Sequence, residues 1–140
     1  ELQTGMQRPL RFVIALEDGG FFSGDRLMKS AEVQWRQSAH FFVALAFTEN
    51  IVDLPDGSFT SHLGSLRTDI AFDSRWSWSN VIQYDNTAEQ VGINSRLRYI
   101  PEAGRELIMV LNHGMAVDPD NRLSTTQNDI NLKLSYTFRY

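Results

Sequence analysis

From Asp129 to Tyr140 the chain alternates without a break, with Ile130, Leu132, Leu134, Tyr136, Phe138 and Tyr140 on one side and Asp129, Asn131, Lys133, Ser135, Thr137 and Arg139 on the other. Successive side chains of a β-strand point to opposite faces, so this run is a strand with one apolar and one polar surface; a helix would scatter both sets around its circumference. Any fold for this chain must give each surface a medium that suits it.

The same period recurs upstream. Leu27, Ala31, Val33 and Trp35 oppose Met28, Ser30, Glu32, Gln34 and Arg36, with Lys29 the exception on the apolar side. Phe41, Val43, Leu45 and Phe47 oppose His40, Phe42, Ala44, Ala46 and Thr48. Leu66, Thr68, Ile70 and Phe72 oppose Arg67, Asp69, Ala71 and Asp73. Trp76, Trp78, Ile82 and Tyr84 have Ser77, Ser79 and Gln83 behind them, and Val91, Ile93, Leu97 and Tyr99 have Gly92, Asn94, Arg96 and Arg98. Leu107, Met109 and Leu111, and an opening run Leu10, Phe12, Ile14 and Leu16, are blurred on their opposite faces but complete a set of eight strands.

The connections alternate in length. Gln37–Ala39, Ser74–Arg75 and Pro101–Gly104 are tight, whereas Asp18–Asp25, Glu49 to about Gly64, Asp85–Gln90 and Gly114–Gln127 are longer and rich in Gly, Asp and Asn. Short periplasmic turns alternating with longer outside loops are the habit of outer-membrane barrels. An even strand count returns the C-terminus to the side of the N-terminus, so both termini are expected to be periplasmic.

Composition is compatible with this. The net charge of -4, without a basic run, speaks against a nucleic-acid partner. The absence of cysteine removes disulfides, thiolate metal sites and cysteine nucleophiles. No apolar run approaches the roughly 18–20 residues of a spanning helix, but barrel strands expose only alternate residues to lipid and escape that criterion. The start at Glu1, with no Met or apolar leader, suits a processed product. A single domain over residues 1–140 is expected.

A soluble eight-stranded barrel would also alternate, with its apolar face inward around a core or ligand. The polar face here carries mid-strand charges, Glu32, Arg67, Asp69, Arg96, Arg98, Asp129 and Lys133, with Glu106 beside them. Turned inward, both signs can pair across a narrow lumen and plug it. The aromatic residues Trp35, Phe41, Phe72, Trp76, Trp78, Tyr99, Phe138 and Tyr140 gather near the tight-turn end on the apolar side. That is a girdle at a lipid–water interface, which a soluble barrel has no reason to build. Lys133, Ser135, Phe138 and Tyr140 fit the C-terminal assembly signal of bacterial outer-membrane barrels, with Ser135 where glycine is usual. They imply the barrel-assembly machinery as a partner.

Five stretches resemble a family of large outer-membrane proteins with an N-terminal carbohydrate-binding-like domain (the DUF5916 family), in its C-terminal barrel region: Phe21–Gly24, Asp53–Thr60, Val81–Asn86, Asn94–Pro101 and Ser135–Tyr140. The resemblance spans nearly the whole chain and implies the outer membrane of a Gram-negative bacterium. Family members are several times longer, so the chain is either a compact relative that closes on itself or a piece of a larger barrel.

Catalytic chemistry is not evident. His40, His62 and His113 stand at no metal-ligand spacing. His113 has Met115 two residues on, where barrel lipid A deacylases carry a serine. Asp53–Gly57 and Asp118–Asn121 can hold a cation but are also ordinary turn sequences. The acidic outer loops can meet lipopolysaccharide through its divalent cations. No cofactor is expected, and an oligomer is compatible with everything above. The leading expectation is therefore a non-enzymatic, porin-like outer-membrane barrel with a structural, anchoring or narrow-passage role. The alternatives are a segment of a larger transport pore associated with saccharide binding, and a soluble ligand-binding barrel.

Overall fold

A computed structural model describes residues 2–3, 8–118 and 122–137. These form one antiparallel sheet of β1 (Leu2–Gln3), β2 (Leu10–Phe21), β3 (Gly24–Arg36), β4 (Phe41–Leu54), β5 (Gly57–Ala71), β6 (Trp76–Asp85), β7 (Gln90–Glu102), β8 (Arg105–Val117) and β9 (Leu123–Tyr136), with no helix among the described residues. The strands lie in chain order, each paired with the next, as an up-and-down meander. β2 to β9 are the eight segments read from the alternation. β1 is additional: two residues are too few to show a period. The sheet is not closed, and β1 and β9 are its edges.

Three of the four expected long loops are corrected to hairpin extensions. The pairing of β2 with β3 continues to Phe21↔Gly24, leaving Phe22 and Ser23 as the turn. That of β4 with β5 runs to Leu54↔Gly57 around Pro55 and Asp56, and β8 with β9 pairs as far as Val117↔Leu123. Only the span after Asp85 remains a loop of the expected size, closing at Asp85↔Gln90. Backbone pairing does not require alternating side chains, so a strand continues past the point where its pattern stops. At Gly24 the close approach of β4 matters: a Cβ there would meet the Asp53 carbonyl oxygen at 1.9 Å. Gly104 turns the β7–β8 connection at φ +87°, a conformation glycine adopts without strain.

Register places the alternation on two continuous faces. Leu10↔Trp35, Trp35↔Val43, Leu45↔Leu66, Leu66↔Ile82, Trp78↔Leu97, Leu97↔Met109 and Met109↔Leu132 run the apolar set across β2–β9. This face is exposed: Leu45 is 57% accessible, Ile130 71%, Leu132 69% and Leu134 79%. The buried hydrophobic residues are Ala44, Val52 and Ile108, all on the opposite face. In β7 the contrast weakens, with Ile93, Leu97 and Tyr99 half-buried and Arg96 and Arg98 exposed. The accessible area is 10330 Å², against about 7,400 Å² for a compact water-soluble protein of 16.0 kDa. The chain builds one sheet layer with almost no core of its own.

Candidate functional site

Among the described residues, the polar face carries mid-strand ionisable side chains on six of the eight long strands, β2, β3, β5, β7, β8 and β9. Alternation brings Arg11, Glu32, Arg67, Asp69, Arg96, Arg98, Glu106, Asp129 and Lys133 to this side, and register decides their neighbours. Arg67 Nε donates to Asp69 Oδ2 at 2.9 Å, within β5. Arg98 Nε pairs with Glu106 across β7–β8. Glu32 Oε1 accepts from Gln34 Nε2, Asp129 accepts from Gln127, and Asn94 donates to Asn112. Every one of these contacts is local, within a strand or between adjacent strands. Lys133 stands opposite Ile108. The expected charge cluster therefore divides into an arginine-rich group on β5–β8 and separate positions at Glu32, Asp129 and Lys133.

Two neighbouring cavities lie at the tight-turn end of this face. Ser77, Ser79, Arg96 and Arg98 line one of about 200 Å³. The other, about 270 Å³, is lined by residues that include Arg36, Phe42, Arg67, Asp69 and the same two serines. The serines stand directly across from the arginines, Ser77↔Arg98 and Ser79↔Arg96. Arg36 lies over the Phe42 ring at 4.9 Å and Arg67 at 5.9 Å, so Phe42 carries two guanidinium groups. Arg36, Phe42, Ser77 and Ser79 join the site without any sequence motif to mark them. Their polar-face parity was visible, but their convergence is a matter of register.

The aromatic residues occupy the same end of the other face. Trp76 stacks on Tyr99 with centroids 4.2 Å apart, and Trp35 meets Phe41 edge to face at 5.9 Å. Trp78 Nε1 donates to Ser95 Oγ at 2.8 Å. Phe72 lies at the β5–β6 turn, exposed, its amide bonded to the Trp76 carbonyl at 3.0 Å. Phe138 and Tyr140, from both the girdle and the assembly signal, lie outside the described residues. Lys133 and Ser135 are on β9. In the β5–β6 turn, Asp73 accepts from the Arg75 and Trp76 amides at 2.7 and 2.8 Å. Those amide bonds, Arg75 first, hold its carboxyl below the usual carboxylate range.

Arg105 lies on the apolar face at the tight-turn end, over the Tyr136 ring at 4.8 Å, and a larger charged group sits on that face toward the far end. Glu49 bridges Lys29 Nζ at 2.8 Å and His62 Nε2 at 3.1 Å, and the His62 ring stacks on Phe47 at 5.8 Å. Lys29 as the exception on its face was the available signal. Glu49 and His62 fall in a stretch whose sequence predicts a loop and which the structure places on β4 and β5. His40 Nδ1 lies 2.9 Å from the Ala71 carbonyl, and His113 stands opposite Ile93 on the apolar face. Among the described residues no three His, Asp or Glu side chains converge as a metal-ligand set. Comparison with protein-family models, curated proteins and solved structures gives no match, so the family resemblance rests on its sequence motifs alone.

Proposed function

We propose that the chain is the wall of a β-barrel in the outer membrane of a Gram-negative bacterium, a non-enzymatic, porin-like protein with a structural, anchoring or narrow-passage role. One observation carries this reading: a continuous apolar face is exposed across a sheet that has almost no core. Exposure of such a face to water costs about 25 cal/mol per Å², and hydrocarbon removes that cost. A sheet suits lipid because its backbone groups are paired laterally, provided its edges are paired too. The Trp76–Tyr99 and Trp35–Phe41 rim supports an interface at the tight-turn end, and the tight turns there suit the periplasmic side. The hairpins at the opposite end then project outside toward lipopolysaccharide.

The eight long strands permit closure of β9 on β2, since an even-numbered meander brings these two antiparallel. A second reading, a segment of a larger pore, is favoured by β1. It pairs with the outer edge of β2 at Val13 and Ile14, continues the apolar face with Leu2, and continues the polar face with Gln3, which accepts from Arg11. A soluble ligand-binding barrel needs its apolar side chains turned to an enclosed interior, and their exposure here weighs against that reading. Heat-modifiable migration after refolding in detergent, followed by insertion into vesicles, tests the membrane reading. A chain that stays soluble and shows no heat-dependent shift contradicts it. Planar-bilayer conductance separates the two readings: steady large currents indicate the larger pore, and their absence the narrow or plugged barrel.

A further inference from the structure

The two cavities at the tight-turn end hold more positive charge than their carboxylates neutralise. Arg36, Arg67, Arg96 and Arg98 surround them, and the nearby carboxylates are Asp69 and Glu106. Arg67 is engaged by Asp69 and Arg98 by Glu106. Arg36 is held by its ring contact with Phe42, which leaves its guanidinium protons available. Arg96 meets no carboxylate among the described residues. A local excess of positive charge thus stands inside a chain whose net charge is -4.

The remaining groups have the matching chemistry. Ser77 and Ser79 add hydroxyl donors between the two arginine sets, and their small side chains leave open the space that a larger residue would fill. Guanidinium groups present planar arrays of N–H donors and no acceptor, suited to bidentate contact with phosphate or carboxylate oxygens. Rings of arginine and lysine are how pores select anions and phosphate. The position on the polar face, away from the apolar surface, favours a phosphate carried by a solute over a lipid headgroup.

We propose that Arg36, Ser77, Ser79 and Arg96 form an oxyanion station for phosphate-bearing solutes on the polar face. The proposal rests on the barrel reading above, since that reading makes this face a lumen. The station binds inorganic phosphate on the folded protein in detergent micelles, detected through the NMR resonances of the arginine side chains. Arg96→Gln weakens that binding roughly tenfold or more, the loss expected for a charge-assisted contact. Arg36→Gln gives a smaller loss of the same sign, and Ser77→Ala with Ser79→Ala a smaller one again. Arg26→Gln removes a polar-face cation at the far end, outside both cavities, and leaves phosphate affinity unchanged.

Heat-modifiable migration of each variant reports folding separately. Phosphate affinity that is undetectable, or equal in wild type, Arg96→Gln and Arg36→Gln while migration stays heat-modifiable, overturns the station and leaves the barrel standing. A wild-type chain without heat-modifiable migration overturns the barrel, and the station with it. Vesicles with and without phosphate-bearing lipids identify the source: a phosphate response that phosphate-bearing lipid abolishes would make the ligand a headgroup and contradict the solute assignment.

Discussion

The two ends of the sheet obey different rules. At the tight-turn end, aromatic rings gather on one face and arginines and serines on the other, with Phe42 and Arg105 the exceptions. At the far end the separation fails. Lys29, Glu49 and His62 form a charged group on the face that is apolar nearer the tight turns, Asp25 stands opposite Asp53 on the same face, and on the other face Phe59 lies exposed. Strand length accounts for the difference. β4 and β5 have 14 and 15 residues, whereas a tilted strand needs roughly 9–11 to cross a bilayer. Phe41 to Glu49 is about that length, and in the proposed barrel the hairpin beyond it meets water on both sides. Only where the two faces meet different media does anything enforce alternation.

The largest expected effect compares two apolar side chains on the same face at the two levels. Leu45→Arg puts a charge in the middle of the proposed lipid-facing surface and costs about 2–4 kcal/mol, whereas Ile51→Arg on the far hairpin costs about 1 kcal/mol or less. Urea titrations of vesicle-inserted protein measure both, and equal costs would break the distinction between the ends. A double-mutant cycle on Trp76 and Tyr99 should give a coupling of about 0.5–1.5 kcal/mol for the stacked rings. A coupling of zero would remove the pair from the rim.

Smaller effects sharpen the boundary. Glu49→Gln should shift the urea midpoint less than Leu45→Arg does, and high salt should shrink the shift, as for a solvated ion network. A large, salt-insensitive loss would mean that this group lies in hydrocarbon and that the boundary is drawn too low. The smallest effect belongs to Asp73. Its folded-state pKa is depressed, so its contribution is complete above the ordinary carboxylate range and fades as pH falls through the lowered value. Asp73→Asn should remove that acid-side dependence and change little at neutral pH. An unchanged pH profile would show that the two amide bonds do not favour the ionised form.

What could be read from the sequence follows the same division. The eight long strands were legible because most of them separate greasy from polar residues at period two in their central parts, as from Val91 to Tyr99 and from Asp129 to Tyr136, whereas β2, β4 and β8 are apolar on both faces and show the period less cleanly. The hairpin extensions were not, because Glu49 to Leu54 and Gly57 to Gly64 pair through the backbone while their side chains follow no single contrast. β1 is too short to carry a pattern. The arginine and serine cavities depend on which residues of β6 and β7 stand opposite, Ser77 with Arg98 and Ser79 with Arg96. Alternation gives parity but not register, which the length of each turn decides.

The central claim is the direction in which each face points, and the absence of native cysteine allows a clean test. Nitroxide labels at Leu45→Cys and Leu132→Cys, and at Ser79→Cys and Lys133→Cys, are compared in vesicle-inserted protein for collision with oxygen and with a water-soluble nickel chelate. The account predicts that oxygen, which concentrates in lipid, dominates at positions 45 and 132, and that nickel dominates at 79 and 133. The reverse order, or four positions equally open to nickel, would contradict it.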